Sequence, residues 1–202
     1  MKLPILALTF VLTLAGTYQA KASSFVIDMY QDGSNVVATG SGDIDLTGLT
    51  FVGNEASATG NSIEAKDAKL IMGTSVPDYS YYAGLSNTSS LGSGPYTRAS
   101  SGSGGLIYVN GLTSHLGLSE DYTSGSALSN TAMWDDTTLS GLGVTPGVYT
   151  WTWDSGADSI TLDASVAVPE PSQYGLGIVL ALAGLIAFRR FRTTLPDTAP
   201  TN

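Results

Sequence analysis

Along residues 23–165, apolar and polar side chains alternate in short runs that turn residues interrupt roughly every ten positions. A period of two is the mark of half-buried strands. Residues 25–30 read as a strand, Gln31-Asp32-Gly33-Ser34 as a turn built on an Asp-Gly pair, and residues 35–39 as the returning strand. Gly40 and Gly42 then predict a bulge or bend. Ile44 and Leu46 alternate, as do Leu49 and Phe51, with Gly48 marking a change of phase and Gly53-Asn54 the next turn. Residues 63–72 fit two readings. Ala65, Ala68, Lys69 and Met72 have helical spacing, residues 69–72 also suit the end of a strand, and the neighbouring strands favour the strand.

Residues 77–82 read as a tyrosine-rich loop, and the Gly/Ser-rich residues 85–105 as too polar for a core strand. A compact strand follows at 106–109, between Gly105 and Asn110-Gly111. Residues 112–118 hold the single histidine, residues 119–126 are polar and turn-like, and segments 127–135 and 138–144 come next. Pro146-Gly147 is a strong turn signal before residues 148–154, which have the clearest strand pattern in the chain. Residues 155–158 turn it into 159–163 as a terminal hairpin. Many short strands of this kind predict an all-β, antiparallel β-sandwich-like ectodomain over 23–165.

The two ends break the pattern. Residues 1–22 have Lys2, an apolar run from 3 to 15, and Ala20-Lys21-Ala22, the order of a signal peptide with a small-x-small cleavage site. Cleavage before Ser23 is expected, with cleavage after Ala20 as the alternative. Near the other end, Pro169-Glu170-Pro171 precedes an uncharged run that ends at Phe188, and Arg189, Arg190 and Arg192 follow. Neither proline suits a helix interior, so Glu170 belongs to an extended, accessible linker, 166–173. Residues 174–188 predict a single transmembrane helix of about 22 Å, somewhat short of a hydrocarbon core of about 30 Å, with snorkelling arginines making up length. The arginines act as a stop-transfer signal, and 189–202 stay on the cytoplasmic side.

This tail resembles the PEP-CTERM sorting signal of certain Gram-negative bacteria, which has a Pro-Glu-Pro motif, a transmembrane segment and an arginine cluster in that order. The resemblance implies recognition by an exosortase, an integral-membrane processing enzyme, with cutting or transfer near Pro169-Glu170-Pro171. Residues 193–202 form a longer tail than is usual after the arginines. A second resemblance, to a group of PEP-CTERM ectodomains, lies in residues 145–153, 155–159 and 42–49. It implies domain limits and a β fold but no catalytic residues.

Composition narrows the function. With no cysteine, an exported chain has neither a disulfide framework nor a thiolate metal site. From Ser23 to Val168 the bases are Lys66, Lys69 and Arg98 against fifteen acids, a net −12 that repels nucleic acid and anionic lipid. A histidine-based metal site or triad would rest entirely on His115, and no G-x-S-x-G elbow frames a serine. Asp43 with Asp45, and Asp154 with Asp158, are pairs that suit calcium or glycosidase chemistry, or solvated strand edges. Gly102–Gly105 lacks the Lys-Ser/Thr of a phosphate loop, and no cofactor or metal is expected.

In a strand, Tyr149, Trp151 and Trp153 share one face. Facing inward they are core; facing outward they are a candidate ligand platform for sugar rings. The scarcity of other large apolar residues favours the core. The chain therefore reads as an exported, non-enzymatic cell-surface or exopolysaccharide-matrix protein. Its partners would be an exosortase-type enzyme, the membrane and exopolysaccharide. A carbohydrate-binding module and a secreted hydrolase are the alternatives.

Overall fold

The computed structural model describes residues 22–56, 60–75, 78–86, 88 and 90–165. The stretches expected as signal peptide, apart from Ala22, and as sorting linker, transmembrane helix and basic tail lie outside the described residues. What is described is all-β, in two sheets. The strands are β1 (Ser24–Asp32), β2 (Asn35–Asp43), β3 (Thr50–Ala56), β4 (Ser62–Glu64), β5 (Lys69–Met72), β6 (Asp78–Ala83) and β7 (Tyr96–Arg98). They continue with β8 (Ser101–Gly104), β9 (Ile107–Asn110), β10 (His115–Ser119), β11 (Ala127–Trp134), β12 (Gly147–Trp153) and β13 (Asp158–Ala164). One sheet runs β12-β13-β1-β2-β11-β8, and the other β3-β6-β10-β9-β5-β4-β7.

The hairpins expected at both ends of this unit are present. β1 turns through Gly33-Ser34 into β2, with Asp32 opposite Asn35. β12 pairs antiparallel with β13 from Gly147–Ala164 to Trp153–Asp158. The pairing is not antiparallel throughout, however. β1 and β13 run parallel, Ser24 against Ser159 through Met29 against Ala164, so the first and last described strands lie side by side.

The core lies between the sheets and draws on both. Phe25, Ile27, Met29, Trp134, Trp151, Ile160 and Leu162 come from the six-stranded sheet, and Ile63, Leu70, Met72, Ile107, Val109 and Leu116 from the seven-stranded one. Each fully buried aliphatic or aromatic side chain contributes about 1.5–3 kcal/mol over an exposed one, so this shared layer holds the two sheets together.

Several local expectations are corrected. Gly40 and Gly42 make no bulge, since β2 keeps continuous register with β1 and β11. Gly40 instead lies under the Phe25 ring, where a Cβ would come within 2.8 Å of ring carbons. Gly53-Asn54 is not a turn but the middle of β3, whose register shifts between Phe51 and Gly53. A bulge on an edge strand accommodates glycine and discourages edge-to-edge pairing. Residues 63–72 are strand at both ends, β4 and β5 pairing antiparallel around a short 3-10 turn, Ala65–Asp67. The supposed tyrosine loop is β6, paired to both β3 and β10. Residues 85–105 hold β7 and β8, both at sheet edges, where polar Gly/Ser sequence costs little. Residues 138–144 are turns rather than a strand, although Leu139, Leu142 and Val144 are buried.

Candidate functional site

Strand β12 turns its aromatic face inward. Trp151 and Trp153 are buried and Tyr149 is half-buried, while Val148 and Thr150 face solvent. The alternative of Tyr149, Trp151 and Trp153 as a ligand platform is therefore corrected, because the rings fill the space between the sheets. Trp153 donates its indole N–H to the Asp45 carbonyl at 2.8 Å, and the Tyr149 hydroxyl reaches the Thr145 and Leu91 carbonyls at 2.6 and 3.1 Å. The outer edge of β12 is met by Ser86 and Thr88: Ser86 N–H donates to the Thr152 carbonyl at 2.7 Å, and Thr88 hydroxyl to the Thr150 carbonyl at 3.0 Å.

A half-exposed aromatic cluster lies on the outer face of the opposite sheet. In register across its outer face lie Gly53, Tyr81, Gly117, Tyr108 and Ile71, with Tyr79 one pleat along β6. Tyr79 and Tyr81 meet edge-on at 6.1 Å between centroids, Tyr81 and Tyr108 at 5.8 Å, and Tyr79 and Tyr108 at 6.1 Å. Gly117 makes this convergence possible, since a Cβ there would come within 2.8 Å of the Tyr79 ring. Lys69 holds its ammonium 5.8 Å from the centre of the Tyr108 ring. Asn110 donates to the Tyr108 hydroxyl at 3.1 Å and accepts the Thr113 N–H at 3.1 Å. Burial pushes the Tyr108 phenol well above its ordinary value, and the Asn110 amide opposes this in part. The sequence did carry a signal for this patch: Tyr79-Ser80-Tyr81 alternates with the period of a strand.

His115 belongs to the same face. Its ring stacks on Tyr81 at 4.5 Å with 8° between planes, and its Nδ1 is buried without a hydrogen-bond partner. It therefore lies in an aromatic stack, with no serine or aspartate hydrogen-bonded to it among the described residues.

The Asp154 and Asp158 pair separates, while Asp43 and Asp45 both lie near the Tyr122 hydroxyl. Asp45 accepts the Thr47 N–H at 2.9 Å and the Ser124 hydroxyl at 3.0 Å, and Thr47, first through its backbone N–H, holds the carboxyl below its ordinary value. Asp158 is buried and accepts the Ser23 N–H at 2.7 Å. Asp154 sits instead in an exposed turn, where it and Ser155 have φ of 45° and 58°. That turn borders an open groove of about 620 Å³ lined by Gly48, Ser86, Thr152 and Trp153 among others. Left-handed backbone costs a residue with a Cβ roughly 1–2 kcal/mol. Gly48 accommodates this turn by offering no side chain against the Asp154 Cβ. Among the described residues no three His, Asp or Glu side chains gather as a metal site requires.

Pro169, Glu170 and Pro171, expected as the sorting motif, and Arg189, Arg190 and Arg192, expected as the stop-transfer signal, lie outside the described residues. No family model, curated protein or solved structure matches the chain.

Proposed function

We propose that the chain is an exported, non-enzymatic protein of the cell surface or exopolysaccharide matrix. Its β-sandwich-like ectodomain, 23–165, is carried by a C-terminal tail that an exosortase-type enzyme reads. The observation that carries this reading is the fixed order of Pro169-Glu170-Pro171, an uncharged run and an arginine cluster. A plain anchor uses only hydrophobicity and its positive flank. A sorting enzyme also depends on the backbone shape set by the prolines and on the Glu170 charge. The non-enzymatic part is supported by His115, the single histidine, being engaged by stacking on Tyr81.

The test replaces Pro169, Glu170 and Pro171 with Ala in a host that has a matching exosortase. Native protein is expected to lose its C-terminal segment, and the triple variant to remain full-length in the inner membrane. Equal processing and location of the two would leave only a simple anchor.

A second reading, a carbohydrate-binding surface, is favoured by the half-exposed rings of Tyr79 and Tyr81 converging with Tyr108 on the outer face of the seven-stranded sheet. The apolar C–H face of a pyranose ring stacks on such aromatics while its hydroxyls reach polar tips.

A further inference from the structure

We infer that cleavage between Ala22 and Ser23 creates an α-ammonium that locks into a buried ion pair with Asp158. The inference rests on the export reading, but not on how the C-terminal tail is processed. The sequence alone places the cleavage site, from the small-x-small pattern Ala20-Lys21-Ala22. Independently, the structure builds a seat for the residue that follows it. Ser23 holds a buried position in the period-two pattern that β1 continues: Ala22 is exposed, Ser23 is only 2% accessible, and Ser24 is exposed again.

All three polar atoms of Ser23 are engaged. Its backbone N–H donates to Asp158 Oδ1 at 2.7 Å, its hydroxyl oxygen accepts the Asp45 N–H at 3.0 Å, and its carbonyl accepts the Ser159 N–H at 3.2 Å. The partner is an unusual group to find there. Asp158 is 3% accessible, at the start of β13, and the Ser23 amide is the hydrogen-bond partner of its carboxylate. A single neutral amide compensates a buried carboxylate poorly, since burying a charge is costly unless it is paired.

Hydrolysis removes the mismatch without moving an atom of Ser23. Water adds hydroxyl to the Ala22 carbonyl and hydrogen to the Ser23 nitrogen, and the released amine takes a proton from solvent. Near neutral pH such an amine is largely protonated. The N–H already aimed at Asp158 becomes one arm of an ammonium, and a hydrogen bond from a neutral donor to the carboxylate becomes an ion pair between two opposite charges. Because β1 and β13 are the parallel pair, this contact ties together the two ends of the described unit. Maturation would thus complete the fold rather than merely release the chain. Cleavage after Ala20 would leave an amide at Ser23 and no ion pair.

The first test is the intact mass of the exported protein. A chain beginning at Ser23 is expected; one beginning at Lys21, or an uncleaved one, overturns the ion pair but leaves export standing. The second test compares the mature chain 23–202 with a free Ser23 amine and the same chain extended by Ala22, both in mild detergent. The free-amine form is expected to melt about 5 °C higher, and Asp158→Asn to erase the difference. Equal melting of the two forms, or a difference that survives Asp158→Asn, overturns the proposal. Should Asp158→Asn not fold, amine labelling decides. In the native state the Ser23 amine should react at least about tenfold more slowly than the Ala22 amine of the extended chain, and equal reactivity overturns the ion pair.

Discussion

The outer faces of the two sheets are built on different chemistry over one shared core. On the six-stranded sheet, Thr150, Thr161, Val26, Ser41 and Ser129 form one row across five strands. Val148, Asp163, Asp28, Thr39, Thr131 and Ser103 form the next, and the last two share a hydroxyl contact of 2.9 Å. This is a hydroxyl-rich outer face, and in β13 buried and half-exposed positions alternate without a break. The seven-stranded sheet behaves otherwise. Its central strand β9 is buried at every position, and on its outer side Ile71, Leu106 and Tyr108 form a second, smaller apolar cluster with Tyr79 and Tyr81 packed against it. One face needs no covering, whereas the other has assembled its own layer of rings. The proposed carbohydrate reading rests on the seven-stranded side of this difference.

The largest expected effect tests what the two faces have in common. Trp151 is fully buried beneath the hydroxyl face and packs in the core that the sheets share. Trp151→Ala should cost about 3–5 kcal/mol, a large fraction of an ordinary domain stability of about 5–15 kcal/mol. Thermal unfolding of the full-length protein checks this. An unchanged melting curve would mean that the sheets do not depend on a common core.

The next test separates the faces directly. Tyr81→Ala removes the ring between Tyr108 and His115, whereas Thr131→Ala trims a hydroxyl from the opposite sheet. Affinity electrophoresis of the full-length protein in gels containing neutral β-glucan or galactomannan should show retardation. Tyr81→Ala should weaken it by at least about tenfold, and Thr131→Ala should leave it unchanged. Retardation that both variants share, or that no neutral glycan produces, removes the carbohydrate reading and the functional contrast with it. The emission of the buried tryptophans Trp134 and Trp151 reports whether Tyr81→Ala has kept the fold.

The same contrast explains which parts of the fold were legible in the sequence. β1, β2, β12 and β13 belong to the sheet with a wet outer face, so polar and apolar residues alternate and their turns carry Gly33 or Pro146-Gly147. Alternation is a signal only where one face meets solvent. On the other sheet it fades. β6 reads as a polar, tyrosine-rich stretch, and β3 hides a strand behind Gly53-Asn54 because a bulged edge tolerates glycine. The parallel pairing of β1 with β13 leaves no local trace, being made between residues far apart in the chain. The inward turn of Trp151 and Trp153 was legible from their spacing with Tyr149, because large apolar residues are scarce. The alternation of Tyr79 and Tyr81 was legible too, but their meeting with Tyr108 was not, since β6 and β9 are joined only through β10, in a register that the sequence does not reveal.

The smallest expected effect concerns Tyr108 and has a sign that the hydroxyl face cannot imitate. Its hydroxyl accepts the Asn110 amide at 3.1 Å, so Tyr108→Phe should cost about 1 kcal/mol at neutral pH. The more telling readout is the alkaline limb. Burial holds the folded phenol above its ordinary value of 10, so the unfolded chain ionises first as pH rises. The stabilisation tied to this group is therefore complete below pH 10 and is lost as pH climbs towards the folded value. Tyr79, Tyr122 and Tyr149 are raised in the same direction, mainly by burial, so part of the limb should survive in any single variant. In urea titrations of the full-length protein between pH 8 and pH 11, Tyr108→Phe should start slightly less stable and then fall less steeply. Parallel curves for wild type and Tyr108→Phe would mean that this phenol is as well solvated as the hydroxyls of the other face, and that the ring layer is not a buried cluster.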